Sequence, residues 1–411
     1  VNSRESAHRG ITFAEPKIEL DKLRAWKESI LTKLSGGVAT LAKMRNVTVI
    51  TGRAYFEGSN KLRIETESGQ QFLEYDKAIL AVGSVPAMPK AFDLGNPRVM
   101  TSTEALEVAD IPEKLLVVGG GYIGMELGTV YAGLGSQITV VEALDSILAG
   151  ADADLARPVV ANAKKMFKEI RLKARVTKMS TAGKQIKVES EYNGEKLSEL
   201  YDRVLVSVGR TPNSADLGLE NTKVVLDEKG FVRVNPQQQT DDPSIYAIGD
   251  IAGGILLAHK AHKEARNAVE NIHGEGATFD SVIPAVVFTD PELAWAGITE
   301  AEAKEKGIAH QVAKFPWSAS GRALSFDRTD GITKIIADPE TNRVLGVGIC
   351  GAGAGELIAE ATLAIEMGAT VEDIAATIHP HPTLSETLME AADAFYGHAT
   401  HTFTQKKKTA E

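Results

Sequence analysis

Leu20, Leu23, Trp26, Ile30 and Leu34 recur every three or four residues, which predicts a helix that breaks at Gly36-Gly37, with a second short helix after it. From Val47 to Leu80 the pattern alternates instead. Val47–Ile50, Lys61–Glu65 and Gln71–Glu74 read as strands of a small antiparallel meander, separated by polar turns at Gly58 and Gly69, and Lys77–Val82 reads as a buried strand ending at Gly83-Ser84. A new unit opens near Thr101, where Thr101-x-x-Glu104 is a capping-box signature. Strand, glycine loop, helix and strand follow over Leu115–Val118, Gly119–Gly124, Met125–Leu134 and Gln137–Glu142, a βαβ unit. Further strands are expected around Val176, at Ile186–Glu189, Arg203–Val208 and Ser244–Asp250, the last leading into a helix with a small face of Ala258, Ala261, Ala265 and Ala268. A third region begins near Val282, with strands at Ala285–Phe288 and Arg343–Ile349 and a helix capped by Thr299-x-x-Glu302 and stopped by Gly307.

At 411 residues, 43% hydrophobic and 24% charged, the chain has the composition of an ordinary globular protein and the length for two to four domains. No apolar run approaches the ~20 residues that span a bilayer. The net charge of -10 argues against a nucleic-acid surface, and the one basic run, Lys406 to Lys408, sits in a polar tail. Cys350 is the only cysteine, so no intrachain disulfide can form, and its place at the end of an apolar run reads as a buried strand position. No metal site is expected.

Gly119-Gly120-Gly121-Tyr122-Ile123-Gly124 between a strand and a helix has the spacing of a dinucleotide loop. Gly119 permits the tight turn, Gly121 admits a pyrophosphate to the helix N-terminus, and Gly124 lets helix and strand pack closely. Glu142 closes the second strand, where a carboxylate accepts from an adenosine ribose and repels a 2′-phosphate, favouring NAD over NADP. Asp250 at a strand end either contacts a ligand or caps the next helix, and Gly209–Asn213 could be only a turn. In His379-Pro-His381-Pro-Thr-Leu-Ser-Glu386, Glu386 could fix the tautomer of His381 as a general base, yet Thr383-x-x-Glu386 is equally a capping box.

Together these motifs resemble the pyridine nucleotide-disulfide oxidoreductases, and Phe315-Pro-Trp-Ser-Ala-Ser-Gly-Arg-Ala323, Leu256-Leu-Ala-His-Lys-Ala261, Thr289-x-Pro-Glu-x-Ala294 and His379–Glu386 are similar to the dihydrolipoamide dehydrogenase branch over roughly residues 10 to 398. The resemblance implies an α/β fold of two nucleotide-binding three-layer domains, the flavin domain incomplete at its N-terminus and the NAD domain complete, with an α+β dimer-interface domain. The expected division is 1–103 for the first flavin part, 104–212 for the NAD domain, 213–282 for the second flavin part, 283–400 for the dimerisation domain and 401–411 for the tail.

It also implies FAD and NAD as cofactors, with Glu126 near the nicotinamide. Val176 and Ser207, Val208, Gly209 and Arg210 would border the same nucleotide, Asp250 and Ala258 would contact the flavin, and Ala54 is a further flavin candidate. His381 would deprotonate the dihydrolipoyl thiol, oriented by Glu386, and serve the disulfide of the opposite subunit of a homodimer. The implied partner is the lipoyl-bearing subunit of a 2-oxo acid dehydrogenase or glycine-cleavage complex. The implied compartment is the cytoplasm, or the mitochondrial matrix if a leader has been lost.

Such proteins open with a strand, a GxGxxG loop and a CxxxxC helix that do not occur here. Roughly sixty residues, about one ~30-residue βαβ unit plus the disulfide helix, are expected ahead of this sequence. Two other readings are a soluble nicotinamide transhydrogenase, against which the Phe-Pro-Trp block and the His-Pro-Thr-Leu-Ser-Glu run argue, and a catalytically dead nucleotide-binding fragment.

Overall fold

Alternate residues of the strand Lys114–Val118 face opposite layers, and that alternation organises the dinucleotide-type domain. In the computed structural model, which describes residues 6–402, Leu115 and Val117 pack with Ile138, Val140 and Leu205 against the helices Tyr122–Leu134 and Ala153–Met166. Leu116 and Val118 point the other way, with Val141, Val204 and Val206, onto an antiparallel meander of Arg175–Ala182, Gln185–Tyr192 and Glu195–Tyr201. A strand buried on both faces must be apolar throughout, which is why these segments read as continuous Val/Leu/Ile runs. The central sheet is parallel and runs Val99–Met100, Arg203–Val206, Lys114–Val118, Gln137–Val141, Glu169–Arg171. The strand Val99–Met100 lies on the flavin side of the expected boundary at 103, yet it is an edge of this sheet. The third meander strand, Glu195–Tyr201, has no forerunner in the sequence reading.

The chain divides into two units. One comprises Met88–Leu106, Ile111–Val208 and the chain from Ser281 onward, so the dinucleotide-type layers and the C-terminal domain belong together. The C-terminal sheet is antiparallel, in the order Ala285–Val287, Glu292–Gly297, Val344–Gly351, Ile332–Ala337, Gln311–Pro316. Helices Ala354–Glu366, Val371–Ala376 and Glu386–Tyr396 contribute Ile358, Ile374 and Leu388 to the same core as Phe315, Trp317 and Val347. Thr299 and Glu302 form the expected capping box.

Asp152 joins the two layers of this unit. Its carboxylate accepts from the Glu300 and Ala301 N–H groups and from Lys334, whose ammonium is 1% exposed and also meets Asp154 and Glu300. Burial pushes Lys334 down, but the three carboxylates outweigh it and hold the pKa above the usual lysine value. Removing Lys334 would leave the buried Asp152 carboxylate without its cation.

The other unit comprises the stretch ending at Ala87, Glu107–Asp110 and Gly209–Asp280. Its first element corrects two expectations. The helix Leu20–Met44 runs 25 residues without a break at Gly36-Gly37, and it absorbs the segment expected to form a separate short helix. Glycine in a helix interior costs only ~1 kcal/mol relative to alanine, too little to stop good helix formers on both sides. None of its residues is buried.

Val47–Ile50 forms no strand; the meander starts at Arg53–Gly58 and continues through Lys61–Thr66 and Gly69–Glu74. Ala78–Leu80 pairs in parallel with Ile245–Ala247, and Ser84–Pro86 pairs antiparallel with Arg210–Pro212, a segment expected on the nucleotide side of the boundary at 212. Phe56, Leu80, Leu217, Val232 and Ile245 form the core here. On the helix Ala258–Ile272 only Ala268 of the expected small face is fully buried; the interior positions are Lys260, Glu264 and Asn267. The pair Lys260–Glu264, 2.6 Å apart, survives burial because Lys260 also donates to the Gly253 carbonyl and Glu264 accepts from the Gly249 N–H. The basic run Lys406 to Lys408 lies outside the described residues. Among those described, no helix is long and apolar enough to cross a membrane.

Candidate dinucleotide loop and histidine dyad

Each glycine of the loop answers a different steric demand. A Cβ on Gly119, whose φ is +103, would lie 2.4 Å from the Ser207 carbonyl oxygen, and one on Gly124 would lie 2.1 Å from that of Gly119. Gly120 has no room beside the Ile147 side chain, at 2.7 Å. Gly121 has nothing within 4 Å. It is the N-cap of the helix Tyr122–Leu134 and supplies no side-chain acceptor, so the first-turn N–H groups of Tyr122, Ile123 and Gly124 sit at an open, positive helix end. This fits a dinucleotide pyrophosphate. Three glycines close the turn and the fourth leaves the ligand's space empty.

Glu142 is tied into the loop by both oxygens, accepting from Gly120 N–H at 2.6 Å and Leu144 N–H at 2.8 Å. Each oxygen keeps a further lone pair for a ribose hydroxyl. The Ser207 hydroxyl, within 3.0 and 3.1 Å of the Val118 and Gly119 carbonyls, braces the turn from beneath. Glu126 accepts from the Phe288 N–H at 2.8 Å; burial pushes its carboxyl above the usual range, against the pull of that N–H. Val176 is packed into the apolar layer at 6% exposure, so only its backbone could border a nucleotide, whereas Val208 is exposed.

Gly209 and Arg210 lie in the other unit. There the Arg210 guanidinium donates to the Ser84 hydroxyl (2.6 Å) and carbonyl (2.7 Å), and Ser84 donates to Asp250, whose carboxylate is 3.6 Å from Arg210. Ser84 was not singled out from sequence; its one signal was its place after a strand-ending glycine. Ala258 is the exposed first residue of its helix, and Ala54 is an exposed strand residue opposite Ile64. A flavin is fitted in part: Asp250 and the uncapped helix start at Ala258 offer an acceptor and donors, while among the described residues of this unit no GxGxxG loop follows a strand.

The histidine segment is anchored from below. Trp317, fully buried, donates to Thr333, which donates to Thr387 in the first turn of Glu386–Tyr396. The Phe-Pro-Trp block therefore fixes the helix that carries Glu386. Glu386 splits its oxygens, one 2.9 Å from His381 Nδ1 and the other accepting from the Thr383 N–H at 2.7 Å. The Thr383 hydroxyl donates to the Pro380 carbonyl rather than capping the helix, so only half of the capping box forms. A carboxylate only accepts, so Nδ1 carries a proton, and in the neutral ring Nε2 presents a lone pair on a side chain that is 72% exposed. Burial pushes the Glu386 carboxyl up, but the Thr383 N–H, His381 and His401 outweigh it and hold it below the usual range.

His379 contrasts with this. Its side chain is 4% exposed, with Nδ1 at 2.8 Å from the Thr377 carbonyl and Nε2 at 2.8 Å from Glu360, so both nitrogens are engaged. Cys350 is fully buried, and burial pushes its thiol up to about 12, which rules it out as a nucleophile near neutrality.

Residues 3–265 match the pyridine nucleotide-disulphide oxidoreductase family, and residues 283–392 match the dimerisation domain of that family. The chain belongs to the pyridine nucleotide-disulphide oxidoreductases. Among curated relatives, the dihydrolipoyl dehydrogenase of Vibrio parahaemolyticus is 46% identical over 398 residues, 96% of this chain and 83% of the relative. That of Vibrio cholerae is 46% identical over 94% of this chain and 82% of its own length. Of solved structures, LpdA from Mycobacterium tuberculosis superposes with a TM-score of 0.86 at 26% identity, covering 95% of this chain and 85% of that one. The HOCl-induced flavoprotein disulfide reductase RclA from Escherichia coli, as its Cu(II) complex, gives 0.83 at 28% identity, covering 96% and 88%.

Proposed function

We propose that this chain oxidises protein-bound dihydrolipoamide to lipoamide with FAD and NAD as cofactors, as a dihydrolipoyl dehydrogenase. In balance, a dithiol and NAD⁺ give a cyclic disulfide, NADH and one proton. The observation that carries this reading is the His381–Glu386 pair, a ring with one nitrogen held by a carboxylate and the other free. His381 Nε2 takes a proton from the dihydrolipoyl thiol, because the thiolate and not the thiol attacks a disulfide. Glu386 steadies the imidazolium that results. Bound flavin supplies a two-electron relay between dithiol and nicotinamide. Gly119–Gly124 and Glu142 hold the NAD pyrophosphate and ribose, Glu126 stands towards the nicotinamide, and Asp250 with Ala258 holds part of the flavin. Val176, Ser207 and Val208 border the NAD site.

The domain order is flavin part, nucleotide domain from about residue 88 to 208, flavin part, and dimerisation domain. The chain works as a homodimer; the 411 residues hold one cysteine, so the disulfide that His381 would serve in the opposite copy is not formed by these residues. Exposed Leu363, Met367 and Ile378, the last 94% exposed and adjacent to His379, are apolar surface suited to that contact. The lipoyl group comes from a subunit of a 2-oxo acid dehydrogenase or glycine-cleavage complex, in the cytoplasm.

The 411 residues hold one cysteine, so the test joins them to the N-terminal segment of the Vibrio cholerae relative, where a flavin loop and a CxxxxC pair are expected. Anaerobic dihydrolipoamide should bleach the flavin and NAD⁺ should restore its colour. Bleaching by NADPH and not by dihydrolipoamide would overturn the reading in favour of a transhydrogenase.

A further inference from the structure

The helix Ala153–Met166 lines a groove of its own. Ala153, Ala156, Arg157, Val160 and Lys164 recur at i, i+3, i+4, i+7 and i+11, which places them on one stripe. That stripe floors a groove of about 470 Å³ along the sheet edge, closed by Ile147, Ile170, Leu172 and the Tyr192 ring. The volume is that of small-molecule sites, and the floor is apolar. None of the glycines 119–124, nor Glu142, lines it. Arg157 and Lys164 are exposed at its margin, and neither makes a hydrogen bond or ion pair among the described residues. By contrast, the neighbouring Arg171 is fully engaged by Glu169 and Glu199.

We propose that this groove is a second small-molecule site, for an amphipathic monocarboxylate whose apolar body lies on Val160, Ile170, Leu172 and Tyr192 and whose carboxylate is taken by Arg157 and Lys164. Two cations against the single carboxylate Asp145 match one negative charge better than a phosphate dianion. The unpaired guanidinium and ammonium lose no existing partner when they turn to a ligand, and the apolar floor releases water as it is covered. The site shares a wall with the nucleotide loop, because Ile147 is the side chain that leaves Gly120 no room for a Cβ.

Calorimetric titration of the full chain with indole-3-propionate and with octanoate separates a flat from a flexible apolar body, and their primary amides test the charge. Saturable binding of at least one acid by about 1 mM, with its amide at least about tenfold weaker, is expected. Arg157→Gln and Lys164→Gln change exposed side chains on a helix surface, and each should weaken the acid by about tenfold without lowering the melting temperature. Equal binding of acid and amide, no saturation by either acid, or an Arg157→Gln/Lys164→Gln double variant that binds as the parent does would overturn the site.

Discussion

The dinucleotide loop and the histidine turn use the same device, a glutamate that shares out its two oxygens, and divide it differently. Glu142 gives both oxygens to backbone N–H groups, so the loop is shaped before a ligand arrives. Glu386 gives one to the Thr383 N–H and the other to His381, so a single carboxylate both holds the chain and orients a ring. Where a side chain shapes the loop that it also lends to the ribose, stability and NADH binding should fall together. Where it also orients a reacting group, they should come apart.

The sharpest contrast within the loop should come from two glycine-to-alanine changes. Gly124→Ala places a methyl 2.1 Å from a backbone oxygen and should cost ~3 kcal/mol or more, seen as a large fall in melting temperature together with lost NADH binding. Gly121→Ala meets no atom of the protein, so the fold should hold while NADH weakens ~10- to 100-fold, because the methyl occupies the pyrophosphate's space. Equal destabilisation by the two variants would mean that the opening at Gly121 is not a ligand site.

Glu142→Ala comes next. It strands the buried Gly120 N–H and should cost ~1–3 kcal/mol of stability while weakening NADH and sparing NADPH, read by parallel fluorescence titrations. Equal loss of both nucleotides would detach Glu142 from the ribose.

Glu386→Gln should have the smallest effect on the fold, because an amide oxygen can still accept from the Thr383 N–H. Its signature is in pH. The folded-state value of Glu386 is depressed, so its stabilisation is present above the ordinary carboxylate value near 4.5 and is lost as pH falls through the lowered one. Melting curves of parent and variant should therefore differ most at neutral pH and converge in acid. A difference that grows in acid would contradict the assigned direction.

How much of this was legible in the sequence depended on whether a segment's partners lie close along the chain. The βαβ fingerprint was, because Gly119, Gly124 and Glu142 constrain one another within a single unit. Glu386 was ambiguous because capping and ring orientation demand the same spacing, and only Thr383, with its hydroxyl turned to Pro380, shows that both are partly met. One proline separates His379 from His381, and burial of His379 against Glu360 sets it apart from the exposed His381.

Arg210 was grouped with its neighbour Ser207, but strand pairing carries it to Ser84 and Asp250, more than a hundred residues away in the case of Ser84. In the first fifty residues, periodicity gave the helix, while Gly36-Gly37 overstated its end and the β-branched run Val47–Ile50 overstated a strand. Propensity is a weak prior where no packed face is available to enforce it.

The identity of the base is tested most directly by His381→Ala in the chimera with the Vibrio cholerae segment, with dihydrolipoamide oxidation, NADH affinity and melting temperature measured on one preparation. Oxidation should slow by about 10²–10⁴-fold, with NADH affinity and melting temperature unchanged. Near-normal oxidation, or a loss that merely follows unfolding or dimer dissociation, would contradict the assignment of His381 as the group that removes the thiol proton.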